Sequence, residues 1–102
     1  MERERRQCLR IKAQSLVVVS LGESKVAFLF DVSEGGLSVH GFIPENQPQF
    51  SFVAFELPES ERAIVARAEI SWRNFWENRS GLRFVQIREE SREQLRDWLS
   101  RR

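Results

Sequence analysis

The sequence has one cysteine, one histidine and no tyrosine among its 102 residues, and these scarcities exclude several classes of protein. A lone Cys8 cannot close an internal disulfide, and Cys8 with His40 is too small a set for a zinc site. No apolar run approaches the roughly 18 residues of a membrane-spanning helix, and no apolar stretch of a signal peptide follows the charged segment 1–6. No phosphate-binding or dinucleotide-binding loop motif is present. We therefore expect a cytoplasmic domain with no membrane insertion, no metal, no cofactor and no enzymatic activity.

Charge is unevenly distributed, although the net charge is only +1. Residues 1–25 carry six basic and three acidic side chains, whereas residues 26–61 carry six acidic side chains and neither Lys nor Arg. Residues 62–102 carry ten basic and six acidic side chains. The pattern favours a local anion-binding region, and the acidic middle argues against a long basic track for nucleic acid. A fold that mixes these charges in space is an equally good reading of the pattern alone.

Apolar and β-branched segments alternate with turn residues along most of the chain, which predicts an all-β fold. Six strands are expected, in the segments 11–20, 25–32, 37–42, 50–57, 62–72 and 81–87. The period then changes: Ser91 and Gln94 fit a helix capping box, and Leu95, Trp98 and Leu99 form one apolar stripe. Short strands followed by one helix predict a six-stranded antiparallel β-barrel with a C-terminal α-helix. We divide this single domain into a flexible basic arm (1–10), a barrel (11–88) and a helix (89–102).

Two motifs combine residues suited to an anionic, base-containing ligand. Arg6 and Arg10 form R-x-x-x-R, with Arg5 before it, and Asp31, Ser33 and Gly36 form D-x-S-x-x-G at a strand end. A guanidinium fork pairs with phosphate oxygens or with guanine O6 and N7, and a carboxylate accepts from the guanine N1 and N2 donors. Each motif alone is also compatible with a solvated arm and an ordinary turn. The arginine spacing recurs elsewhere, at 79/83, 88/92 and 92/96.

In this order and in a β-rich chain, the motifs resemble the PilZ domain family, whose members bind the bacterial second messenger cyclic di-GMP through them. The segments 35–37 and 81–84 extend the resemblance over nearly the whole chain. The resemblance implies a six-stranded antiparallel barrel and a position for a stacking aromatic at Trp72, with Trp76 as the alternative. The implied ligand-binding residues are Arg5, Arg6, Arg10, Asp31, Ser33, Gly36 and Trp72.

The functional hypothesis is a cyclic di-GMP receptor in which the basic arm clamps the nucleotide against the barrel and the altered surface is read by a protein partner. We expect a monomer or weak dimer. Two alternatives stay open. One is a PilZ-like protein-interaction module that binds no nucleotide, and the other is a small β-barrel that binds single-stranded nucleic acid. We expect His40, the single histidine, to be a packed or surface residue of a strand with no role in chemistry.

Overall fold

A computed structural model describes residues 10–22, 25–41, 52–60 and 62–102 of the chain. These residues form seven β-strands and one α-helix. The strands are β1 (Ile11–Lys12), β2 (Val18–Leu21), β3 (Lys25–Ser33), β4 (Gly36–His40), β5 (Val53–Phe55), β6 (Ile64–Asn74) and β7 (Arg79–Ile87), and the helix α1 spans Glu89–Ser100. The division into arm, barrel and helix stays a prediction, because residues 1–9 lie outside the described residues.

The strands form one antiparallel sheet in the order β1-β3-β2-β5-β6-β7-β4. Because β4 also pairs with β3, the strands β3, β2, β5, β6, β7 and β4 close into a six-stranded barrel. β1 is an additional short strand that pairs with the end of β3. Closure leaves the six barrel strands without an unpaired edge, which suits a domain of this size. The predicted antiparallel barrel with a C-terminal helix is confirmed.

Alternation along the strands fills the barrel with β-branched and leucine side chains. In β6, for example, Ile64, Ala66 and Ala68 are buried and the residues between them are exposed. α1 adds its apolar stripe to the same core, and the Trp98 indole Nε1 donates to the carbonyl of Pro58 at 2.8 Å. The buried core consists of Val17, Val19, Leu21, Leu29, Val32, Leu37, Val39, Val53, Phe55, Leu57, Ile64, Ala66, Ala68, Leu82, Leu95, Trp98 and Leu99.

The segment predicted as one strand, 11–20, is divided in two. β1 and β2 lie along the same edge of β3, with Lys12 opposite Asp31 and Val18 opposite Phe28. Six positions separate Lys12 from Val18, whereas three separate their partners, so the extra residues leave the ladder as an exposed loop at 14–16. The predicted strand 50–57 is also shorter, since its described part pairs only over β5.

The predicted capping box at the start of α1 is wrong. The N-cap lies three residues before Ser91, at Arg88, and no side chain caps the helix. Ser91 is buried, and its hydroxyl accepts from the backbone N–H of Val65 at 3.3 Å. Gln94 Nε2 donates to the Ser60 hydroxyl at 2.6 Å. Both side chains therefore join the helix to the barrel, and these tertiary hydrogen bonds replace the local ones that the motif suggests.

Candidate functional site

A β-bulge in β3 brings two neighbouring side chains to the outer face of the barrel. Leu29 and Val32 are both in the core, although their spacing of three residues breaks the alternation of a regular strand. The pairing with β4 shifts between Leu29 and Asp31, so that Phe30 is an extra residue without a partner. Phe30 and Asp31 consequently share the outer face. Bulges are frequent beside binding sites because they redirect side chains in this way.

One row of register partners crosses five strands on this face. Lys12 lies opposite Asp31, Asp31 opposite Ser38, Ser38 opposite Gly81, and Gly81 opposite Trp72. A second bulge, between Ile70 and Trp72, keeps Trp72 in this row. We call these residues the outer row: Lys12, Asp31, Ser38, Gly81 and Trp72. The row places two of the predicted site residues, Asp31 and Trp72, on one continuous surface.

Asp31 connects the two sequence motifs. Its Oδ1 accepts from Arg10 Nη1 at 2.7 Å and from the Ser38 hydroxyl at 2.5 Å. The Asp31 side chain is 8% exposed and that of Arg10 is 47% exposed. A buried carboxylate is costly unless it is paired and hydrogen-bonded, and Arg10 and Ser38 satisfy both conditions. The second arginine of R-x-x-x-R is thereby held against the first residue of D-x-S-x-x-G.

Ser33 and Gly36 shape the turn that follows Asp31. Ser33 is buried, its hydroxyl accepts from the N–H of Gly35 at 3.3 Å, and it donates to the carbonyl of Gly36 at 3.4 Å. A Cβ on Gly36 would lie 2.1 Å from the carbonyl oxygen of Leu82 on β7. The glycine is therefore needed where β4 and β7 approach each other. The motif implied only that Gly36 is a ligand-binding residue and did not predict this packing role.

Trp72 forms the aromatic surface of the site. A Cβ on Gly81 would lie 2.2 Å from the Trp72 atoms Nε1 and Cε2, so the indole ring lies directly over the Gly81 backbone. Trp72 is 39% exposed, whereas Trp76 is 92% exposed in the turn after β6. Of the two aromatic candidates, Trp72 is the one that the fold places in the same outer row as Asp31.

Three further side chains, Arg79, Phe30 and His40, lie around the outer row, and neither they nor Lys12 were predicted as site residues from the sequence. The guanidinium carbon of Arg79 lies 3.6 Å from the centre of the Phe30 ring and 5.5 Å from that of Trp72. Lys12 Nζ lies 5.5 Å from the Phe30 ring, and His40 meets that ring edge-on at 5.2 Å. The one available signal was the Leu29–Val32 spacing, which indicates a bulge and hence an outward Phe30.

The site has a basic character in its described part. Arg10, Lys12 and Arg79 lie around Asp31, Phe30 and Trp72, with Asp31 paired to Arg10 and Glu77 paired to Arg79. Arg5 and Arg6, the other predicted basic residues, lie outside the described residues. Among the residues that the structure describes, no group of three His, Cys, Asp or Glu side chains is placed to hold a metal ion.

A second contact joins the motif turn to the helix. Arg96 Nε donates to Glu34 Oε2 at 2.5 Å, and Glu34 is the residue between Ser33 and Gly35 in D-x-S-x-x-G. This hydrogen bond and the charge of Glu34 raise the pKa of Arg96 above its ordinary value.

The described chain has no helix long and apolar enough to span a bilayer.

The sequence and the fold are both similar to those of known proteins. A sequence model of the PilZ domain matches residues 4–101. The chain is similar in structure to the Bacillus subtilis inhibitor of motility (MotI/DgrA), with a TM-score of 0.69 and 21% identity over 99% of this chain and 52% of that one. It is similar to Escherichia coli YcgR in complex with c-di-GMP, with a TM-score of 0.69 and 20% identity over 96% of this chain and 46% of that one.

A third similar structure is the PilZ domain of E. coli YcgR with c-di-GMP, with a TM-score of 0.62 and 18% identity over 96% of this chain and 91% of that one. The chain spans about half the length of the first two proteins. At these identities the structural likeness establishes the fold. No protein of curated function is significantly similar in sequence.

Proposed function

The chain belongs to the PilZ domain family, and on that premise we propose that it is a receptor for cyclic di-GMP. The observation that carries the proposal is the Arg10–Asp31 ion pair, which joins the two motifs on the outer face that also carries Trp72. Cyclic di-GMP has two phosphates and two guanines, so it requires cations, hydrogen-bonding groups and an aromatic surface in one place. The similar YcgR structures, both solved with c-di-GMP, support the choice of ligand.

In this proposal the described residues have separate roles. Arg10 binds a phosphate or a guanine edge, since its planar fork matches either. Asp31 and Ser38 orient the Arg10 guanidinium, and the Asp31 carboxylate accepts from guanine N1 and N2 when the base is bound. Trp72 stacks on a base. Ser33 and Gly36 keep the motif turn in the shape that positions Asp31. Arg5 and Arg6 close the site from the arm.

We further propose that the bound form signals to a protein partner in the cytoplasm and that the domain is not an enzyme. PilZ domains are binding modules, and the relatives of about twice the length join a similar fold to further sequence. The Glu34–Arg96 contact supports a route from the motif turn to α1, because a ligand that moves the turn would also change the position of Glu34 relative to Arg96 on the helix. The partner itself is outside the proposal.

Isothermal titration tests the ligand assignment. Cyclic di-GMP is titrated into the protein beside GMP, GTP and cyclic di-AMP at one salt concentration, because phosphate contacts are salt-dependent. We expect cyclic di-GMP to bind at least tenfold more tightly than the others, since only it offers two guanines and two linked phosphates. Absence of binding would leave the PilZ-like interaction module as the better reading. Retention of a single-stranded oligonucleotide that cyclic di-GMP does not displace would favour the nucleic-acid binder.

A further inference from the structure

Arg79 is restrained in a way that an ordinary surface arginine is not. Its guanidinium lies 3.6 Å from the Phe30 ring, and stacking on an aromatic face fixes the plane of the group. Its side chain is only 21% exposed, and its Nε is buried with no hydrogen-bond partner in the described part of the chain. A buried donor without a partner is uncommon and calls for a functional explanation.

The one hydrogen bond from the Arg79 side chain to another described residue is a weak competitor for a ligand. Nη1 donates to Glu77 Oε1 at 3.0 Å, and Glu77 lies in the adjacent turn with 58% of its side chain exposed. Exposed ion pairs are easily exchanged, because water competes for both partners. A bound acceptor could therefore replace Glu77, while Phe30 keeps the guanidinium in its plane.

The position of Arg79 relates it to the outer row. Arg79 and Gly81 are two residues apart on β7 and share the outer face, and Gly81 is the residue over which the Trp72 indole lies. The Arg79 guanidinium carbon is 5.5 Å from the Trp72 ring. Asp31 lies in the same row on the other side of Ser38 from Gly81, and Arg10 pairs with it. A purine stacked on Trp72 would thus have the Arg79 guanidinium within reach of one of its edges.

We propose that Arg79 binds the O6 and N7 edge of the guanine that stacks on Trp72, with Phe30 as its support. The proposal rests on the assignment of cyclic di-GMP as the ligand and adds a residue outside both motifs. Guanine presents two acceptors on this edge, which match the arginine fork. Adenine presents one acceptor and the N6 amino donor, which opposes it. Arg79 is therefore a determinant of base preference.

Arg83 provides a matched control. It lies four residues after Arg79 on the same strand, but its side chain is 64% exposed and its Nη2 pairs with Glu69 at 2.8 Å. Arg79→Ala, Arg79→Lys and Arg83→Ala would be compared with the unchanged chain. Lysine keeps the charge of Arg79 and lacks the planar fork. Thermal unfolding of each variant establishes that it is folded.

The test is a titration with cyclic di-GMP and with its 7-deaza analogue, in which both guanines lack N7. We expect the unchanged protein and Arg83→Ala to bind the analogue about tenfold more weakly than cyclic di-GMP. Arg79→Ala and Arg79→Lys should bind cyclic di-GMP about ten- to a hundredfold more weakly and should discriminate between the two ligands less than the unchanged protein does.

Two results separate the failure of this inference from failure of the ligand assignment. Suppose that the unchanged protein binds cyclic di-GMP, and that Arg79→Ala discriminates against the analogue as strongly as the unchanged protein does. Arg79 then does not bind the base, and the inference is wrong. An equal loss of affinity for both ligands on Arg79→Ala, with discrimination kept, would likewise assign Arg79 a purely structural role. If the unchanged protein does not bind cyclic di-GMP, the ligand assignment is wrong and this inference with it.

Discussion

Arg10 and Asp31, one from each sequence motif, form an ion pair of 2.7 Å in which the carboxylate is buried and the guanidinium is half exposed. This geometry gives Arg10 two separate functions. It neutralises a carboxylate that the fold has removed from water, and it presents the rest of its fork to solvent, where a ligand can reach it. Changes at Arg10 should therefore affect both binding and stability.

Arg10→Ala should weaken cyclic di-GMP binding by about ten- to a hundredfold, because one forked arginine contact contributes about 1–3 kcal/mol. It should also lower the free energy of unfolding by about 0.5–1 kcal/mol, since Asp31 keeps Ser38 as a partner. Titration and urea denaturation measure the two effects. Arg88→Ala is the control, because Arg88 also begins an R-x-x-x-R spacing and is exposed just before α1. Arg92, the second arginine of that spacing, is half-buried and is therefore less suitable. Similar losses for both variants would mean that diffuse charge holds the ligand.

The sequence predicted those features that depend on local pattern. Alternation indicated the barrel strands, the apolar stripe indicated α1, and the motifs singled out Asp31. The contribution of Phe30 had one signal in the sequence, the Leu29–Val32 spacing, whereas that of Arg79 had none, because it depends on the bulge in β3 and on the register between β4 and β7. The capping-box prediction failed for a related reason. The Ser91 hydroxyl accepts a hydrogen bond from Val65 of the barrel, and a local sequence motif does not predict a partner that is distant in sequence.

The glycines of the motif turn provide a matched pair for stability. A Cβ on Gly36 would lie 2.1 Å from the Leu82 carbonyl oxygen, whereas a Cβ on Gly35 meets nothing within 4 Å. Gly36→Ala should lower the free energy of unfolding by about 2 kcal/mol or more, because two backbone strands must separate to admit the methyl group. Gly35→Ala should change it by less than about 0.5 kcal/mol. Urea denaturation measures both, and equal effects would show that β4 and β7 do not depend on this close approach.

Gly81→Ala should act on the aromatic surface more than on the fold. The three heavy atoms nearest to its Cβ would all belong to the Trp72 ring, and a half-exposed side chain can move outward more easily than a backbone strand. We expect the NMR signal of the Trp72 indole N–H to shift and cyclic di-GMP affinity to fall by about tenfold or more, since base stacking contributes about 1–3 kcal/mol. The indole signals of Trp76 and Trp98 serve as internal references. Unchanged affinity with a displaced Trp72 would remove that residue from the site.

The Arg10–Asp31 pair can be separated from its surroundings by a double-mutant cycle. Arg10→Ala, Asp31→Asn and the double variant are unfolded in urea, and the coupling free energy is the difference from additivity. Asparagine keeps an acceptor for Ser38, removes the charge and replaces one carboxylate oxygen with an amide NH2 donor. We expect a coupling of about 0.5–2 kcal/mol, because the carboxylate is 8% exposed and poorly screened by water.

The same cycle on Arg83 and Glu69 provides the reference. That pair is equally short, at 2.8 Å, but its side chains are 64% and 47% exposed. Its coupling should be below about 0.5 kcal/mol and should decrease further in salt, since exposed charges are solvated and screened. If both cycles give the same coupling, burial of Asp31 adds nothing to the pair, and the contact between the two motifs is an ordinary surface ion pair that does not preorganise Arg10 for a ligand.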